Sequence, residues 1–205
     1  MDRLKWKKEL INKFNDLQNQ NPLSLSMGKM KYPNIEEFTK IISRGTIDRS
    51  KKIFFPAKTN NGKNGVRIGS LFTDNHGNKY LIDEGWFSKS YYDYYKKSQK
   101  VFNAEILGYI RYPTEKKIFT PENSIKKNEW YYYDLKKIQN YFNIEINQKF
   151  FIKNMSYYSE DFLIPSSIKH NFSNNHLQYA ITWFLMSISI IIIFLIYLIR
   201  ENKRQ

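Results

Sequence analysis

The sequence predicts an α+β membrane protein: an antiparallel β sheet or partly closed barrel with one short helix, preceded by an amphipathic helix and followed by a transmembrane helix. Three observations carry this. Leu177 to Ile199 are 23 consecutive residues without a charge. Short segments rich in Ile, Val, Phe and Tyr, punctuated by Gly and Asn, fill much of the chain between residues 38 and 157. Ahead of Pro22 the apolar residues instead recur at helical spacing.

The N-terminal element, residues 4–19, places Leu10, Ile11, Phe14 and Leu17 three and four apart with Lys and Glu between them, one apolar stripe on a helix that Asn21-Pro22 ends. A polar connector follows. Strands are then expected at 38–47, 52–57, 64–72, 101–111 and 149–157. The run N-N-G-K-N-G-V at 60–66 reads as a hairpin turn, and Leu71–Thr73, Asp74–Asn78 and Lys79–Phe87 read as a second hairpin, because Gly and Asn supply the positive-φ positions of tight loops. Residues 90–99, with four tyrosines, read as an exposed loop or bent helix. Leu135, Ile138 and Phe142 give residues 134–142 helical spacing, one short helix interrupting the sheet.

At about 1.5 Å per residue the uncharged run makes a helix of roughly 34 Å, enough to cross a hydrocarbon core of about 30 Å. Arg200, Lys203 and Arg204 outnumber Glu201 behind it, which places the C-terminus in the cytoplasm. The organisation expected is therefore a juxtamembrane helix and linker over 1–35, a β-rich extramembrane domain over 36–165, a linker and helix cap over 166–175, a transmembrane helix over 176–199 and a basic tail over 200–205.

The 205 residues contain no cysteine, which excludes disulfides, thiolate zinc sites, iron–sulfur ligation and cysteine nucleophiles. Lys and Arg number 33 against 19 acids, a net charge of +14. The basic residues are scattered rather than gathered on one element, so no nucleic-acid partner is expected. No G-x-S-x-G elbow, Walker-type loop or H-E-x-x-H helix occurs. Asp83 with Glu84, and Glu122 with Glu129, are the nearest approaches to an acid/base pair, and neighbouring carboxylates of this kind are common in loops. An enzyme is not expected, and no catalytic residue is assigned.

Of three histidines, His76 falls in a predicted turn and His170 in a polar linker, both suited to solvent. His176 stands at the entrance of the span after Ser173-Asn174-Asn175, residues that cap helix starts. Tyr179, Ala180 and Trp183 follow it at i+3, i+4 and i+7, so the four share a helix face. Two readings fit this face. Aromatics and a histidine at a membrane boundary form an ordinary interfacial belt; alternatively, a neutral imidazole there ligates haem iron, with Ala180 leaving room for the macrocycle and Trp183 packing against it.

The run N-N-H-L-Q-Y-A-I-T-W-F, Asn174 to Phe184, resembles the opening of the second transmembrane helix in the Surfeit-locus-one family of cytochrome c oxidase assembly proteins. Four further blocks resemble that family in the same order: R-L-K-W-K-K-E-L-I at 3–11, S-R-G-T-I-D-R-S-K-K at 43–52, L-I-D-E-G-W-F at 81–87 and T-P-E-N-S-I-K-K-N-E-W-Y-Y-Y-D-L at 120–135. The family pattern has Asn-Arg where this chain has Asp83-Glu84, which puts any role of that arginine in doubt here.

The resemblance implies a bacterial inner-membrane protein with its β domain on the periplasmic side and its C-terminus cytoplasmic. It implies a role in assembling haem-copper cytochrome c oxidase, binding haem a and assisting its insertion into subunit one, or alternatively a haem-free scaffold on an oxidase intermediate. The partners implied are subunit one, the haem a synthesis machinery and membrane lipid. His176 is the implied metal ligand, with Tyr179 and Trp183 completing the haem a contact and Lys169 balancing the propionates. Met1 falls where the family pattern has already left a first span, so a hydrophobic segment upstream of it is expected.

Overall fold

The computed structural model describes residues 16, 19–25, 35–158, 162–166 and 176–203. The helix expected over 4–19, apart from Asp16 and Asn19, the cap at 173–175, Lys169 and His170 lie outside these residues. The chain forms two units, Met1–Ser167 and Ile168–Gln205.

Six strands build the first unit among the described residues: β1 (Leu23–Ser24), β2 (Lys40–Asn60), β3 (Lys63–Asp74), β4 (Lys79–Ser88), β5 (Val101–Arg111) and β6 (Phe151–Asn154). Among the described residues α1 (Tyr92–Lys97) and α2 (Leu135–Phe142) accompany them. The strands expected at 38–47 and 52–57 are one continuous β2. Asp48-Arg49-Ser50 bends it with a bulge between Asp48 and Lys52, while the Arg49 N–H donates to Lys100 O at 3.0 Å and keeps the strand bonded to its neighbour.

The β2–β3 turn is Asn61-Gly62, with φ of 47° and 75°, the left-handed pair a two-residue hairpin requires. In the β3–β4 turn Asp74 Oδ1 accepts the N–H groups of His76 and Asn78 at 2.9 and 2.8 Å, and His76 is exposed at the tip.

The sheet is mixed, not antiparallel as expected. β2, β3 and β4 form a meander, β6 lies parallel to β4, β5 pairs antiparallel with β6, and β5 returns to β2. The ring β2-β3-β4-β6-β5 therefore closes. β1 adds a short parallel pairing beside Ile41 and Ile42. The physical reason for the parallel pair is the connection. The residues between β5 and β6 form a long crossover containing α2, which brings β6 in beside β4 in the same direction, something no hairpin can do. This is the plan of a five-stranded Greek-key barrel of the OB type.

Side-chain alternation divides the wall in two. One face carries Ile41, Ile47, Phe72, Tyr80, Ile82, Ile106, Ile110 and Ile152, packed together inside the barrel. Further along the same face of β3 and β4, Val66, Ile68 and Phe87 meet Phe54 and the Tyr95 side chain of α1, which closes that end. The opposite face carries Ile53, Phe55, Leu71, Leu81 and Phe151, covered by Leu135, Ile138 and Phe142 of α2 and by Trp130. Asp134 caps α2 by accepting the Lys137 N–H at 3.1 Å, and Asn143, at φ 53°, ends it.

The described residues of the second unit form α3 (His176–Asn202), whose most apolar 18-residue stretch has a mean hydropathy of 2.5 and no buried residue. It is the expected apolar span, long enough to cross a bilayer.

Candidate functional site

The described hydroxyl groups of α3 bond within the helix. Thr182 Oγ1 donates to Tyr179 O at 2.7 Å, Ser187 Oγ to Trp183 O at 3.0 Å and Ser189 Oγ to Leu185 O at 2.9 Å. Each serine and threonine of the span thus satisfies its hydroxyl on a carbonyl one turn back, as a lipid environment demands. Tyr179 and Trp183 lie one turn apart on one face and are 63% and 65% exposed. Among the described residues of their own unit, none packs over this face. His176 is the first residue of α3, and its side chain lies outside the described atoms.

In the barrel, the structure corrects the reading of Asp83 and Glu84 as ordinary loop carboxylates. Both sit in β4 and both are fully buried. Consecutive strand residues face opposite ways, and here a bulge adds one more device: Gly69 pairs with Asp83 and Ile68 with Gly85, which leaves Glu84 as the extra residue. Gly85 follows at φ 153°, and a Cβ there would stand 2.6 Å from Ile164 O.

Glu84 points inside. It receives Arg49 Nε at 3.0 Å and Nη2 at 2.7 Å on Oε2, and the Ser70 hydroxyl at 2.5 Å on Oε1. Both members of the pair are wholly excluded from solvent. The Arg49 guanidinium also lies 5.0 Å from the Phe102 ring centroid and 5.5 Å from that of Tyr95.

Asp83 points to the outer face. Arg67 Nε and Nη2 reach its carboxylate at 2.9 and 2.8 Å, the Tyr133 hydroxyl donates at 2.6 Å, and Lys153 Nζ stands 3.6 Å away. Arg67 also donates to Ser166 Oγ. Burial pushes the Asp83 carboxyl up, but Arg67 and Lys153 outweigh it and hold the group below the usual aspartate range. Burial, reinforced by Asp83, pushes the Tyr133 phenol well above its ordinary value. Tyr133 is fixed by stacking on Phe151, centroids 3.9 Å apart and nearly parallel.

Among the described residues no three His, Cys, Asp or Glu side chains gather where they could hold a metal ion. The charged clusters of the barrel are closed, each carboxylate saturated by its donors. Neither cluster was anticipated from the sequence. The available clue was two acids in L-I-D-E-G-W-F, inside an apolar strand, since acids in such a position require cationic partners.

Compared with known proteins, the chain matches the SURF1 family over residues 1–188. The chain belongs to that family. A SURF1-like protein of Rickettsia felis is 33% identical over 140 residues, covering 66% of this chain and 62% of that protein. This chain therefore spans less than two thirds of that relative's length. A SURF1-like protein of Rickettsia bellii is 25% identical over 201 residues, covering 96% and 82%. Surfeit locus protein 1 of Mus musculus is 25% identical over 204 residues, covering 90% and 65%.

Within the family blocks the structure separates packing from chemistry. In the 120–135 block Asn123 Oδ1 accepts the Tyr131 and Tyr132 N–H groups, and Asn128 Nδ2 donates to Lys52 O at 3.1 Å while its Oδ1 accepts the fully buried Trp130 indole at 3.0 Å. With Asp134 capping α2, these residues clamp the crossover onto the barrel. In the 81–87 block Trp86 Nε1 donates to Lys58 O at 2.9 Å. Glu84 of that block faces the barrel interior, fully buried.

Proposed function

We propose that this chain is a membrane-anchored, non-catalytic assembly factor for haem-copper cytochrome c oxidase, holding haem a at the bilayer boundary for insertion into subunit one. Membership of the SURF1 family is the observation that carries this reading, and the resemblance of Asn174 to Phe184 to the family's helix opening supports it. In it, His176 supplies an imidazole nitrogen, Tyr179 and Trp183 line the ring, and Lys169 balances propionate charge. Bound haem a would supply the iron that such an imidazole ligates. The chain's own part is to hold the flat group at the water–lipid boundary on a helix face left open by its own packing. The β domain stands on the periplasmic side of a bacterial inner membrane, with the C-terminal tail in the cytoplasm, and the haem a synthesis machinery is the donor.

The test is co-expression with haem a synthesis, followed by the absorbance spectrum of the detergent-purified protein. A haem band that His176→Ala diminishes is expected; unchanged haem content in that variant removes the ligand assignment.

The second reading is a haem-free scaffold that grips an oxidase intermediate. The small residues Ala180 and Ser187 favour it, since they let membrane helices approach closely. Recovery of subunit one in a pull-down, with no bound haem, selects that reading.

A further inference from the structure

A cleft of about 240 Å³ lies on the first unit where the β2 bulge, α1 and the 120–135 crossover converge. Three lysines line it, Lys52, Lys96 and Lys127, together with Ser50, Gln99, Asn128, and the rings of Phe54, Tyr92 and Tyr141. No carboxylate lines it. Asp48 acts on Lys52, and Asp93 and Glu129 act on Tyr92, all from outside the lining.

The floor of the cleft is built rather than incidental. Lys52 is only 8% exposed, and its ammonium donates to Arg49 O at 3.1 Å and Ser98 O at 2.5 Å. An ammonium has three N–H groups, so one remains for a ligand. Asn128 holds the Lys52 carbonyl and is itself held by Trp130 at φ 53°, so the far wall is fixed as well. Among the described residues, Lys96 contacts only the Tyr92 ring, 6.0 Å from its centroid, and neither Lys96 nor Lys127 has a carboxylate at ion-pair distance.

The three lysines of the lining differ in surroundings: Lys52 is buried, whereas Lys96 and Lys127 are exposed. Burial first, and the Arg49 charge second, hold the Lys52 ammonium below the ordinary lysine range, with Asp48 offsetting only part. An anion seated beside Lys52 relieves the cost of burying that ammonium, and the exposed Lys96 and Lys127 add positive charge to the same lining. Lysine ammonium groups are suited to phosphate, as point charges that need no planar partner. The volume is about eight times the ~30 Å³ share of one liquid water, room for a tetrahedral oxyanion and a short ester arm against the tyrosine rings.

We propose that the Lys52–Lys96–Lys127 cleft is a phosphate-binding site, taking a phosphate group either free in solution or carried by an anionic phospholipid headgroup. It does not depend on haem binding at α3.

The test is calorimetric titration of inorganic phosphate into the full chain in phosphatidylcholine nanodiscs, with sodium chloride of equal ionic strength as the blank. Saturable binding is expected, weakened at least tenfold in a Lys96→Gln/Lys127→Gln variant. Both side chains are exposed, so that variant keeps its fold, which circular dichroism checks. Absence of saturable heat, or equal affinity in the variant, overturns the site. Repeating the titration in phosphatidylglycerol nanodiscs identifies the source. An apparent affinity for free phosphate reduced severalfold by that lipid, and not reduced in the variant, supports the site as one filled by the headgroup. An unchanged affinity supports it as one filled by free phosphate.

Discussion

Asp83 and Glu84 are neighbours in one strand, both buried, yet they belong to different chemical surroundings. Glu84 is sealed inside the barrel with one guanidinium and one hydroxyl, and both partners of the ion pair have no solvent exposure. Asp83 lies on the outer face under Tyr133, shared between two cations, Arg67 and Lys153, whose side chains are 17% and 18% exposed. The bulge at Glu84 and the crossover clamped over the outer wall together let two consecutive charges be buried on opposite sides of one sheet. The difference teaches where a buried charge has an exit. The cations of the outer cluster can turn toward water if their carboxylate is lost; the interior guanidinium cannot.

The sharpest way to break the comparison is to delete the interior carboxylate. Glu84→Gln leaves the Arg49 charge inside the barrel without its counter-ion, and removing one partner of a buried pair costs about 3–5 kcal/mol. Chemical denaturation followed by tryptophan fluorescence measures it. Replacing both partners with apolar residues, as in Arg49→Met/Glu84→Leu, recovers most of the loss, because the pair's attraction is largely offset by the desolvation of its members. A double variant as unstable as the single one would show that the pair does more than neutralise itself.

The same deletion on the outer face is milder. Asp83→Asn costs about 2–3 kcal/mol, near the low end for a buried charged partner, since Arg67 and Lys153 re-solvate. It also changes the acid limb of stability. The folded carboxyl titrates below its unfolded value of about 3.9, so the folded state binds fewer protons in that range. Its contribution is complete above about pH 4 and is lost as pH falls through the lower folded value. Stability measured from pH 6 down to pH 2 therefore falls less steeply in Asp83→Asn than in the parent chain. Parallel curves would show that Asp83 carries no differential titration.

How much of this was legible beforehand follows from the range of the interactions. The turns at Asn61-Gly62 and Asp74–Asn78, the stripe of Leu135, Ile138 and Phe142, and the apolar α3 are set by near neighbours, and composition or spacing exposes them. Closure of the barrel is not local. The parallel register of Ile82 with Ile152 is fixed by residues some seventy positions apart, and no alternation pattern announces it. The bulge that buries Glu84 is likewise silent, because the strand pattern over 79–87 shows neither the extra residue nor that both faces of the strand are covered. The lysine cleft draws on residues 50–54, 92–99, 127–128 and 141, which meet only after closure. Tyr179 and Trp183 need no such closure, because a helix alone places residues one turn apart on one face.

The smallest of the expected effects sharpens the inside–outside contrast. Asp134 accepts the Lys137 N–H at the start of α2, and Tyr133, the residue before it, donates to Asp83. Asp134→Ala removes the cap at a cost of about 1 kcal/mol. The loss is felt first on the outer wall, because α2 covers Leu71, Leu81 and Phe151 there and touches nothing of the Arg49–Glu84 pair. Amide hydrogen exchange resolves the two sides. Faster exchange at Lys137 and Ile138, with the interior amides around Ser70 and Ile82 unchanged, is the outcome of a local opening on one face. Uniform acceleration across both faces would mean instead that the crossover and the barrel open as one cooperative body, and that the two buried carboxylates, for all their different partners, are protected by the same event.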